Sequence, residues 1–468
     1  MKNMKKKVLG MLLVAAMAGT LLAGCGSSGG NDGGADSSAA EEGGSSGDGK
    51  VLNVASVNND SMVIMEELSS KYTEETGVEV KFTILSENEI RSKITQDAGL
   101  GGGEYDLFTL GTSDMASYLD NGWSEPLDPM FEALSQEEQD EYDLNDIIES
   151  VRKSCSTEAN GLGALPFYSE STMICYNKEI FEQKGLTMPE NPTWEDIYEL
   201  AAAADDDANG ISGIAIRGLA GYGENQYVFG SIFNAFGGQY YDMDWNATYD
   251  NETTREAWEF YKKLMTVAED SPTTCGYTEC LNLFAQGKAA IYYDATVSAG
   301  TFAGDDSAVK GKVGYAPAPT AAKDNTGTIG GWGIAISSKS QNKDQAFDFL
   351  RWCTSKEYVQ LVQEEKGFAS TPSGTRYSTY ENQEYLDACD FAEPTFNAIN
   401  SSDAENPCLN EVPYTGNSLP NLPEYSAWGT TVAEQLAAYI SGSTDLDTAI
   451  ATCQEAIDSA AAEGGYRD

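Results

Sequence analysis

The sequence predicts an α/β fold with a largely parallel sheet, and two observations lead to that prediction. After residue 50, short apolar runs recur along the chain and are often followed by helical patterns. Such alternation is typical of strands that lie in a parallel sheet and are covered by helices. About 420 residues follow this point, which is enough chain for two lobes with substantial cores.

The first predicted elements are three strands separated by two helices. The strands are VLNVASV (51–57), VEVKFTIL (78–85) and YDLFTLG (105–111), and the helices are SMVIMEELSSKYTEETG and ENEIRSKITQDA. In parallel sheets, ligands bind at the carboxyl ends of the strands. The residues that follow these strands are therefore candidate site residues: Asn58, Asn59, Glu87, Asn88, Thr112, Ser113 and Asp114.

A second group of elements begins near residue 163. The helix PTWEDIYELAAAA starts with a capping box of Thr193 and Asp196, and the helix TTREAWEFYKKLM is amphipathic. GIAIRG (213–218) and KAAIYYDA (288–295) are predicted strands, and the segments GKVGYAPAP, GGWGIAIS and DQAFDFLRWCTSKEYVQLVQ follow. Composition alone does not show how these elements divide between lobes.

The first 24 residues predict a secretory signal peptide. Residues 1–7 carry four lysines and no acid, and residues 8–24 are apolar or small except for Thr20. The motif LLAGC resembles the lipobox of bacterial lipoproteins, by which Cys25 would receive a lipid; the alternative is an ordinary cleaved signal. Residues 25–50 predict a flexible Gly/Ser/Asp tether. We therefore expect an exported protein, anchored by lipid to the outer face of the cell membrane.

Composition excludes several classes of function. The net charge is −46, and removal of the four signal-peptide lysines leaves about −50, which argues against nucleic acid and disfavours an anionic ligand. The absence of histidine removes Ser-His and Cys-His catalysis and His-based metal sites, and we expect no metal and no cofactor. Eight cysteines follow Cys25 without a CxxC pair. They either form disulfides, with Cys275 and Cys280 as the closest pair, or act as small buried apolar residues.

A glycine-rich stretch, RGLAGYGEN (217–225), follows the predicted strand GIAI. Such stretches often bind phosphate through backbone N–H groups. However, no Lys-Ser/Thr pair follows the glycines, and the charge of the chain opposes a nucleotide. We therefore expect the glycines to let a loop turn tightly beside a neutral ligand, with Arg217 as a hydroxyl donor and Tyr222, Glu224 and Asn225 close to the pocket.

Several segments follow one another in an order that indicates a family: YDLFTLGTSDMASYLDNGWSEPLD, NLFAQGKAAIYYDA, VGYAPAP, GGWGIAIS and AFDFLRWCTSKEY. Behind a lipobox and a tether, they resemble the extracellular solute-binding proteins of ABC importers, sugar-binding family 1. A narrower resemblance is to the sorbitol/mannitol (polyol)-binding branch of this family. It is carried by the segments LSENEIRSKIT, LPFYSESTM, GIAIRGLAGYGEN, STPSGTRYSTY and VPYTGNSLPNLPEY. Two departures fall on expected pocket positions. Ser113-Asp114 replaces the branch's usual Tyr-Glu, and Tyr222 and Gly330-Gly331 stand where the branch tends to carry tryptophan.

The resemblance implies a two-lobed periplasmic-binding-protein-like fold of type II, with the ligand cleft between lobes that are joined by hinge crossings. By analogy, lobe one holds residues 51–164 and 314–365, and lobe two holds residues 165–313 and 366–468. Ligand binding would shift the hinge toward a closed form, which an ABC permease in the membrane would recognise. The implied ligand is a sugar alcohol of the mannitol, sorbitol or arabitol type, or a related sugar, and the implied protein is a monomer.

The chemistry of such a ligand selects the candidate site residues. Carboxylates, amides and guanidinium groups make charge-assisted hydrogen bonds to hydroxyls, and an aromatic face covers the C–H side. The candidates are Glu87, Arg217, Asp294 and Arg376, then Asn58, Asp114, Tyr168, Glu170, Asn225 and Tyr414, with Trp332 as the stacking platform. The alternatives are a structural ion pair for Arg217, a helix cap for Asp294, a core position for Tyr168, packing between lobes for Trp332 and a surface loop for Arg376.

Three other functions remain open from the sequence. The chain could bind another mono- or oligosaccharide, or it could be a ligand sensor on the same fold. A secreted hydrolase would act on glycans through two carboxylates, but with 74 acidic residues no pair is informative and no catalytic motif stands out. We therefore expect no enzymatic activity.

Overall fold

The structure, a computed structural model, describes residues 51–157 and 159–467. Strands and helices alternate along this part of the chain, which confirms the predicted α/β class. The predicted signal peptide (1–24), Cys25 and the tether (25–50) lie outside the described residues.

The strands of the described chain form two main sheets and one short ribbon. In chain order they are β1 (Val51–Val57), β2 (Glu79–Leu85), β3 (Leu107–Gly111), β4 (Ser156–Thr157), β5 (Gly161–Leu162), β6 (Leu165–Glu170), β7 (Thr172–Asn177), β8 (Ser212–Ala215), β9 (Ala289–Ala295), β10 (Val313–Ala316) and β11 (Gly330–Ile336). The first sheet has the order β2-β1-β3-β11-β6, the second has the order β10-β7-β9-β8, and β4 pairs with β5 in the ribbon.

Both sheets are mixed, whereas the sequence predicted a largely parallel sheet. In the first sheet β1 pairs in parallel with β2 and β3, but β11 is antiparallel to β3 and β6. In the second sheet β8 and β9 are parallel, but β7 is antiparallel to β9 and β10. Strand β11 arrives from the second sheet without a covering helix. It therefore enters at the edge where β3 ends and runs in the opposite direction.

The helices cover the faces of the two sheets. They are α1 (Asp60–Thr76), α2 (Glu87–Leu100), α3 (Thr112–Asp120), α4 (Asp128–Glu132), α5 (Gln136–Tyr142), α6 (Glu149–Ser154), α7 (Lys178–Lys184), α8 (Trp194–Ala204), α9 (Asn225–Ala235), α10 (Glu252–Leu264), α11 (Tyr277–Ala285), α12 (Ser298–Ala303), α13 (Lys343–Cys353), α14 (Lys356–Lys366), α15 (Tyr377–Glu381), α16 (Gln383–Ala388), α17 (Ala392–Ser401), α18 (Tyr425–Ile440) and α19 (Leu446–Glu463). Short 3₁₀ turns lie at Leu144–Asp146, Asp207–Asn209, Met265–Val267, Pro272–Thr274 and Phe368–Ser370.

Each sheet has apolar cores of its own. One core surrounds the first sheet and includes the fully buried Leu52, Ile334 and Phe349. The second sheet has a core on each face, and the neighbouring residues Tyr292 and Tyr293 of β9 point into different ones. This alternation is the normal consequence of the strand pleat.

The chain passes between the two sheets at positions close to the predicted lobe boundaries. Sheet membership changes at Ser171, which alone separates β6 from β7, and again between β10 and β11. A third connection near Ser373 lies beside β6, because its carbonyl accepts a hydrogen bond from the amide of Ser169 at 2.9 Å. The lobe boundaries themselves stay a prediction. The sheets suggest a shift of about six residues at the first boundary, from 164 to 170.

Local signals in the sequence determine several helix starts. The predicted capping box is confirmed, because Thr193 Oγ1 accepts a hydrogen bond from the amide of Asp196 at 3.1 Å and the Asp196 carboxylate accepts one from the amide of Thr193. Asn59 caps α1 by accepting from the amide of Met62 at 3.0 Å. The eight cysteines from Cys155 to Cys453 carry free thiols, and seven of them are buried. They therefore act as small apolar residues.

Candidate ligand site

A cavity of about 210 Å³ lies between the two sheets. It is bounded by the carboxyl ends of β1, β3 and β6, by the start of α2 and by the loop that follows β8. This is the edge at which α/β sheets bind ligands. Its wall includes Asn58, Asn59, Glu87, Arg91, Tyr168, Glu170, Arg217, Glu224, Tyr227, Tyr277 and Trp332.

A wider groove of about 990 Å³ opens beside this cavity and shares Asn59, Tyr168 and Tyr277 with it. Its charged side chains, among them Lys288 and Asp305, are exposed to solvent. Exposed charges attract a ligand only weakly, because water competes for them. The smaller cavity, whose charged groups are buried, is therefore the candidate site.

One wall of the cavity is organised by Arg91 of α2. Its guanidinium forms an ion pair with Glu87, one turn earlier, at 2.9 Å, and a second ion pair with Asp114 of α3. The guanidinium carbon lies 4.8 Å from the ring centroid of Trp332 and 4.9 Å from that of Tyr222. Two carboxylates and two aromatic rings thus hold Arg91, and its positive charge is already balanced on this wall.

The opposite wall is organised by Arg217, which follows β8. Its Nε and Nη2 donate to the two carboxylate oxygens of Asp294 at 2.7 and 2.6 Å, and Glu224 lies 3.7 Å from its Nη1. The guanidinium carbon also lies 4.6 Å from the ring centroid of Tyr227 and 5.0 Å from that of Tyr277. Such a buried bidentate pair fixes the guanidinium plane and balances its charge.

Glu170 lies at the end of β6, where the chain leaves the first sheet. Burial raises the pKa of its carboxyl to about 8, although the charge of Arg217 opposes this shift. Its Oε2 and the hydroxyl of Tyr227 have no hydrogen-bond partner of good geometry among the described residues, although the two side chains are close enough to each other to share a hydrogen bond. Buried polar atoms in native proteins are nearly always paired. These two atoms on the cavity wall are therefore natural partners for ligand hydroxyl groups.

The charge balance of the cavity favours a neutral ligand that is rich in hydroxyl groups. Burial, together with the charge of Glu87, raises the pKa of Glu224 to about 7, with Arg217 opposing. Each arginine is paired with carboxylates, so an anionic ligand would find no unpaired cation. Carboxylates, neutral donors and the ring of Trp332 are instead suited to the hydroxyls and C–H surface of a polyol or sugar.

The structure brings ten of the sequence-predicted site residues to the cavity wall: Asn58, Asn59, Glu87, Asn88, Thr112, Ser113, Tyr168, Glu170, Arg217 and Trp332. Two more, Asp114 and Asp294, lie directly behind the wall and hold its arginines. Arg217 lines the cavity and also forms the structural ion pair that was its alternative, while its role as a hydroxyl donor stays a prediction. Asp294 is a partner of Arg217 and is fully buried in β9.

Three predicted site residues lie away from the cavity. Arg376 is buried and donates to the carbonyl of Thr354 at 3.1 Å and to Asp146 at 3.1 Å, so it ties connections together rather than forming a surface loop. Asn225 donates to the carbonyl of Ala433 at 3.0 Å. Tyr414 accepts from the amide of Tyr240 at 3.0 Å within the second-sheet core. In each case the side chain bonds to partners within the fold and away from the cavity, which sequence patterns do not reveal.

Among the wall residues that the sequence reasoning missed are Arg91, Tyr227 and Tyr277, which contact the charged groups of the site. A signal for Arg91 was present, because it stands four residues after Glu87 in ENEIRSK and such pairs meet on one helix face. The two tyrosines come from the first turns of α9 and α11, on either side of Arg217. Only the fold brings these separate segments together.

The glycine-rich loop after β8 needs its glycines because other groups approach it closely. A Cβ on Gly218 would overlap the backbone carbonyl of Pro272, and one on Gly223 would overlap the carboxylate of Glu87 on the opposite wall. The carbonyl of Gly223 also accepts a hydrogen bond from Arg217 at 2.9 Å. The loop therefore turns tightly beside the cavity, as the sequence predicted.

Two further properties of the described residues bear on the class of protein. Among the described helices, none has the length and apolar character that a membrane span requires. Within the same part of the chain, histidine, cysteine, aspartate and glutamate side chains form no group of three or more that could hold a metal ion.

Comparison with known proteins gives a consistent family. The model of the family described as "bacterial extracellular solute-binding protein" matches residues 56–360. The chain is similar to the mannitol-binding protein of Pseudomonas aeruginosa, with 36% identity over 422 residues that cover 89% of this chain and 94% of that one.

Solved structures agree with this result. An ABC transporter solute-binding protein from Agrobacterium vitis S4 with bound D-mannitol superposes with a TM-score of 0.85 and 35% identity, over 90% of this chain and 100% of that one. A solute-binding protein from Agrobacterium radiobacter K84 in complex with ribitol has a TM-score of 0.78 and 22% identity, over 88% and 99% of the two chains. The second likeness concerns the fold alone.

Proposed function

Because the chain belongs to the family of bacterial extracellular solute-binding proteins, we propose that it captures a sugar alcohol between its two sheets and delivers it to an ABC permease. The proposal takes its ligand class from the mannitol-binding relative and from the mannitol-bound neighbour, which share about a third of their residues with this chain. Capture is binding without turnover. Closure of the cleft around the ligand would create the form that the permease recognises.

The observation that carries the proposal is the pairing pattern in the cavity. Both arginines are balanced by carboxylates, while Glu170 Oε2 and the Tyr227 hydroxyl are buried with at most each other's side chain as a partner among the described residues. A polyol supplies hydroxyls that can donate to and accept from such atoms, and it brings no charge that must be balanced. The carboxylate of an amino acid or an organic acid would need an unpaired cation, and both cavity arginines are already paired.

The size of the cavity supports a small ligand. Its 210 Å³ is below the range of about 300–1,000 Å³ that is usual for drug-sized ligands. A net hydrogen bond contributes about 1 kcal/mol, more when one partner is charged, and micromolar binding requires about 8 kcal/mol. We propose that Glu87, Asn58, Glu170 and Arg217 bond to the hydroxyls while Trp332 covers the C–H surface.

Calorimetry on the purified protein tests this proposal. Mannitol, sorbitol, arabitol, ribitol and erythritol form the test series, with maltose, glucose and an amino acid for comparison. We expect a hexitol or pentitol to bind with micromolar or tighter affinity. If every polyol fails and maltose or glucose binds, the ligand is another sugar; if no compound binds, the proposed function is wrong.

The proposal extends to the exported state of the protein. We propose that Cys25 carries the lipid and that residues 25–50 link it to the folded lobes. Because the lipid would be attached through the Cys25 thiol, Cys25→Ser should abolish incorporation of labelled palmitate into the protein. Equal labelling of the variant and the wild type would contradict the lipid anchor without affecting the proposed ligand.

A further inference from the structure

Three residues form a direct link between the two sides of the cleft. Arg91 of α2 and Asp114 of α3 belong to elements that pack on the first sheet, whereas Tyr222 lies in the loop after β8 of the second sheet. The Tyr222 hydroxyl donates to Asp114 Oδ1 at 2.8 Å and lies 3.3 Å from Arg91 Nη1. The Arg91 guanidinium lies 4.9 Å from the Tyr222 ring centroid. We call Arg91, Asp114 and Tyr222 the latch.

Each half of the latch is held in place on its own side of the cleft. Arg91 is fixed by its ion pairs with Glu87 and Asp114 and by the ring of Trp332. Tyr222 is fixed by Tyr425 of α18, whose hydroxyl donates to the Tyr222 carbonyl at 3.2 Å and whose ring meets the Tyr222 ring edge-on at 5.9 Å. Groups that are already oriented lose little conformational entropy when they meet.

Arg91 lies on the cavity wall, but the bond between Tyr222 and Asp114 is separate from the surface that a ligand would contact. Asp114 and Tyr222 are not on the cavity wall, and their contact lies behind Arg91. The side chains of Arg91 and Asp114 are only 9% and 7% exposed, so water competes weakly with their bonds. A hydrogen bond between exposed side chains, from Thr301 to Asp60 at 2.7 Å, also crosses the cleft but is open to solvent. The latch is therefore the stronger of these two connections.

We propose that the latch stabilises the closed conformation of the protein before any ligand binds, so that Tyr222 and Asp114 set the affinity without touching the ligand. A protein whose binding-competent form is only partly populated binds every ligand more weakly by the same factor. Loss of the latch should therefore weaken all ligands equally, whereas loss of a ligand contact changes the preference among them. The effect on affinity rests on the proposed function, but the effect on the ligand-free protein does not.

The test uses Tyr222→Phe, which keeps the ring over Arg91 and removes only the hydroxyl. Small-angle scattering of the ligand-free protein should show a larger radius of gyration for the variant than for the wild type. Affinities for mannitol, sorbitol and arabitol should fall by one common factor of about 10- to 100-fold, the range for loss of a hydrogen bond to a charged group. The relative order of the three ligands should stay unchanged.

The chain offers a matched control in Tyr466→Phe. The Tyr466 hydroxyl donates to Glu424 at 3.0 Å, so the control removes the same kind of bond between two residues that lie together near α18 and α19. It should leave both the radius of gyration and the affinities at wild-type values. Melting curves of both variants establish that they are folded.

The outcomes separate the two proposals. A radius of gyration that is the same in ligand-free wild type and Tyr222→Phe overturns the latch, and so does a loss of affinity confined to one ligand. If the wild type binds no polyol at all, the proposed function fails. The scattering comparison then still decides on the latch, because it is made without ligand.

Discussion

Glu170 combines a buried carboxyl, an unpaired oxygen and a place at the crossing between the sheets. Because its pKa is about 8 in the folded protein, against 4.5 for an ordinary glutamate, the folded state holds its proton through a pH range in which the unfolded state has lost it. The free energy of unfolding therefore falls as the pH rises from about 4.5 toward 8. Glu224, with a pKa of about 7, contributes in the same direction.

We predict that Glu170→Gln reduces this pH dependence. Glutamine is neutral at every pH and keeps one donor and one acceptor, so the variant should lose up to about 1.4 kcal/mol per pH unit of slope, while the part from Glu224 remains. Denaturant unfolding at pH 5, 6, 7 and 8 measures the slope. Mannitol affinity at pH 7 should stay within a few-fold of wild type, whereas Glu170→Leu should lose it. If the free energy of unfolding changes equally with pH in wild type and Glu170→Gln, the pKa of Glu170 is not raised.

Arg217 has a structural role as well as a place on the wall. Its removal would leave the fully buried Asp294 carboxylate without its bidentate partner. Removal of one partner of a buried ion pair typically lowers the free energy of unfolding by about 3–5 kcal/mol. We predict a loss of this size in the free energy of unfolding for Arg217→Ala, measured by urea denaturation.

A matched control for this prediction is Arg255→Ala. Arg255 also pairs with two carboxylates, those of Asp250 and Asp447, but its side chain is 32% exposed. Exposed pairs contribute about 0–1 kcal/mol, so this variant should unfold almost like wild type. Similar losses for the two variants would show that burial of the Arg217 pair is not what makes it strong.

At the scale of single elements, the loop that links β8 to α9 separates folding from binding. Gly218 faces the backbone of Pro272 on its own side of the cleft, whereas Gly223 faces Glu87 on the opposite side. A backbone carbonyl cannot move aside. The Glu87 carboxylate is the end of a side chain and could shift only by disturbing its ion pair with Arg91 on the opposite wall. Gly218 is therefore needed for the loop to fold, whereas Gly223 is needed for the cleft to close.

We predict that Gly218→Ala and Gly223→Ala have opposite profiles. The first should lower the melting temperature by several degrees, corresponding to about 1–3 kcal/mol of overpacking, while folded molecules bind normally. The second should leave the melting temperature of the ligand-free protein nearly unchanged and weaken mannitol at least tenfold, because closure would press the new methyl against Glu87. Melting curves and calorimetry measure both. A Gly218→Ala variant with the wild-type melting temperature, or a Gly223→Ala variant that binds mannitol tightly, would contradict these separate roles of the two glycines.

Some of the candidate site residues could be predicted from the sequence, and others could not. The carboxyl ends of predicted strands pointed to Glu87 and Arg217, because these positions follow from local pattern and from the geometry of α/β sheets, whereas Glu170 was selected through the family resemblance and the chemistry of its ligand. Arg376 and Tyr414 could not be judged in this way. Their partners come from segments distant in sequence, and a polar side chain that is satisfied inside the fold has the same local pattern as one that binds ligand.

At the scale of the whole molecule, the two sheets were expected but their mixed pairing was not. Alternating strand and helix patterns predict how many layers there are, yet they do not show that β11 enters the first sheet from the second and reverses direction. The cavity is a consequence of that crossing, because β6 and β11 bring Glu170 and Trp332 to the same edge as the end of β1. Its chemistry is therefore a property of the assembled fold.

The charge of the whole molecule leads to the last prediction. The chain carries a net charge of −46, and both cavity arginines are already paired, so a phosphorylated hexitol meets long-range repulsion and finds no unpaired cation. We predict that mannitol 1-phosphate binds at least about 100-fold more weakly than mannitol, because its charge would be buried without a partner. Calorimetry from 0.05 to 1 M salt separates the long-range repulsion from the lack of an unpaired cation in the cavity.

Salt shortens the Debye length from more than about 10 Å to about 3 Å over this range, which removes the long-range repulsion but not the local lack of a partner. The mannitol affinity should therefore stay constant as salt is added. The difference in affinity between mannitol and mannitol 1-phosphate should decrease but not disappear. Equal affinity of the two compounds, or full recovery of the ester in 1 M salt, would show that an arginine in the cavity is free to bind an anion. That result would move the ligand class away from neutral polyols, since the balanced charges of Arg91 and Arg217 are what selects them.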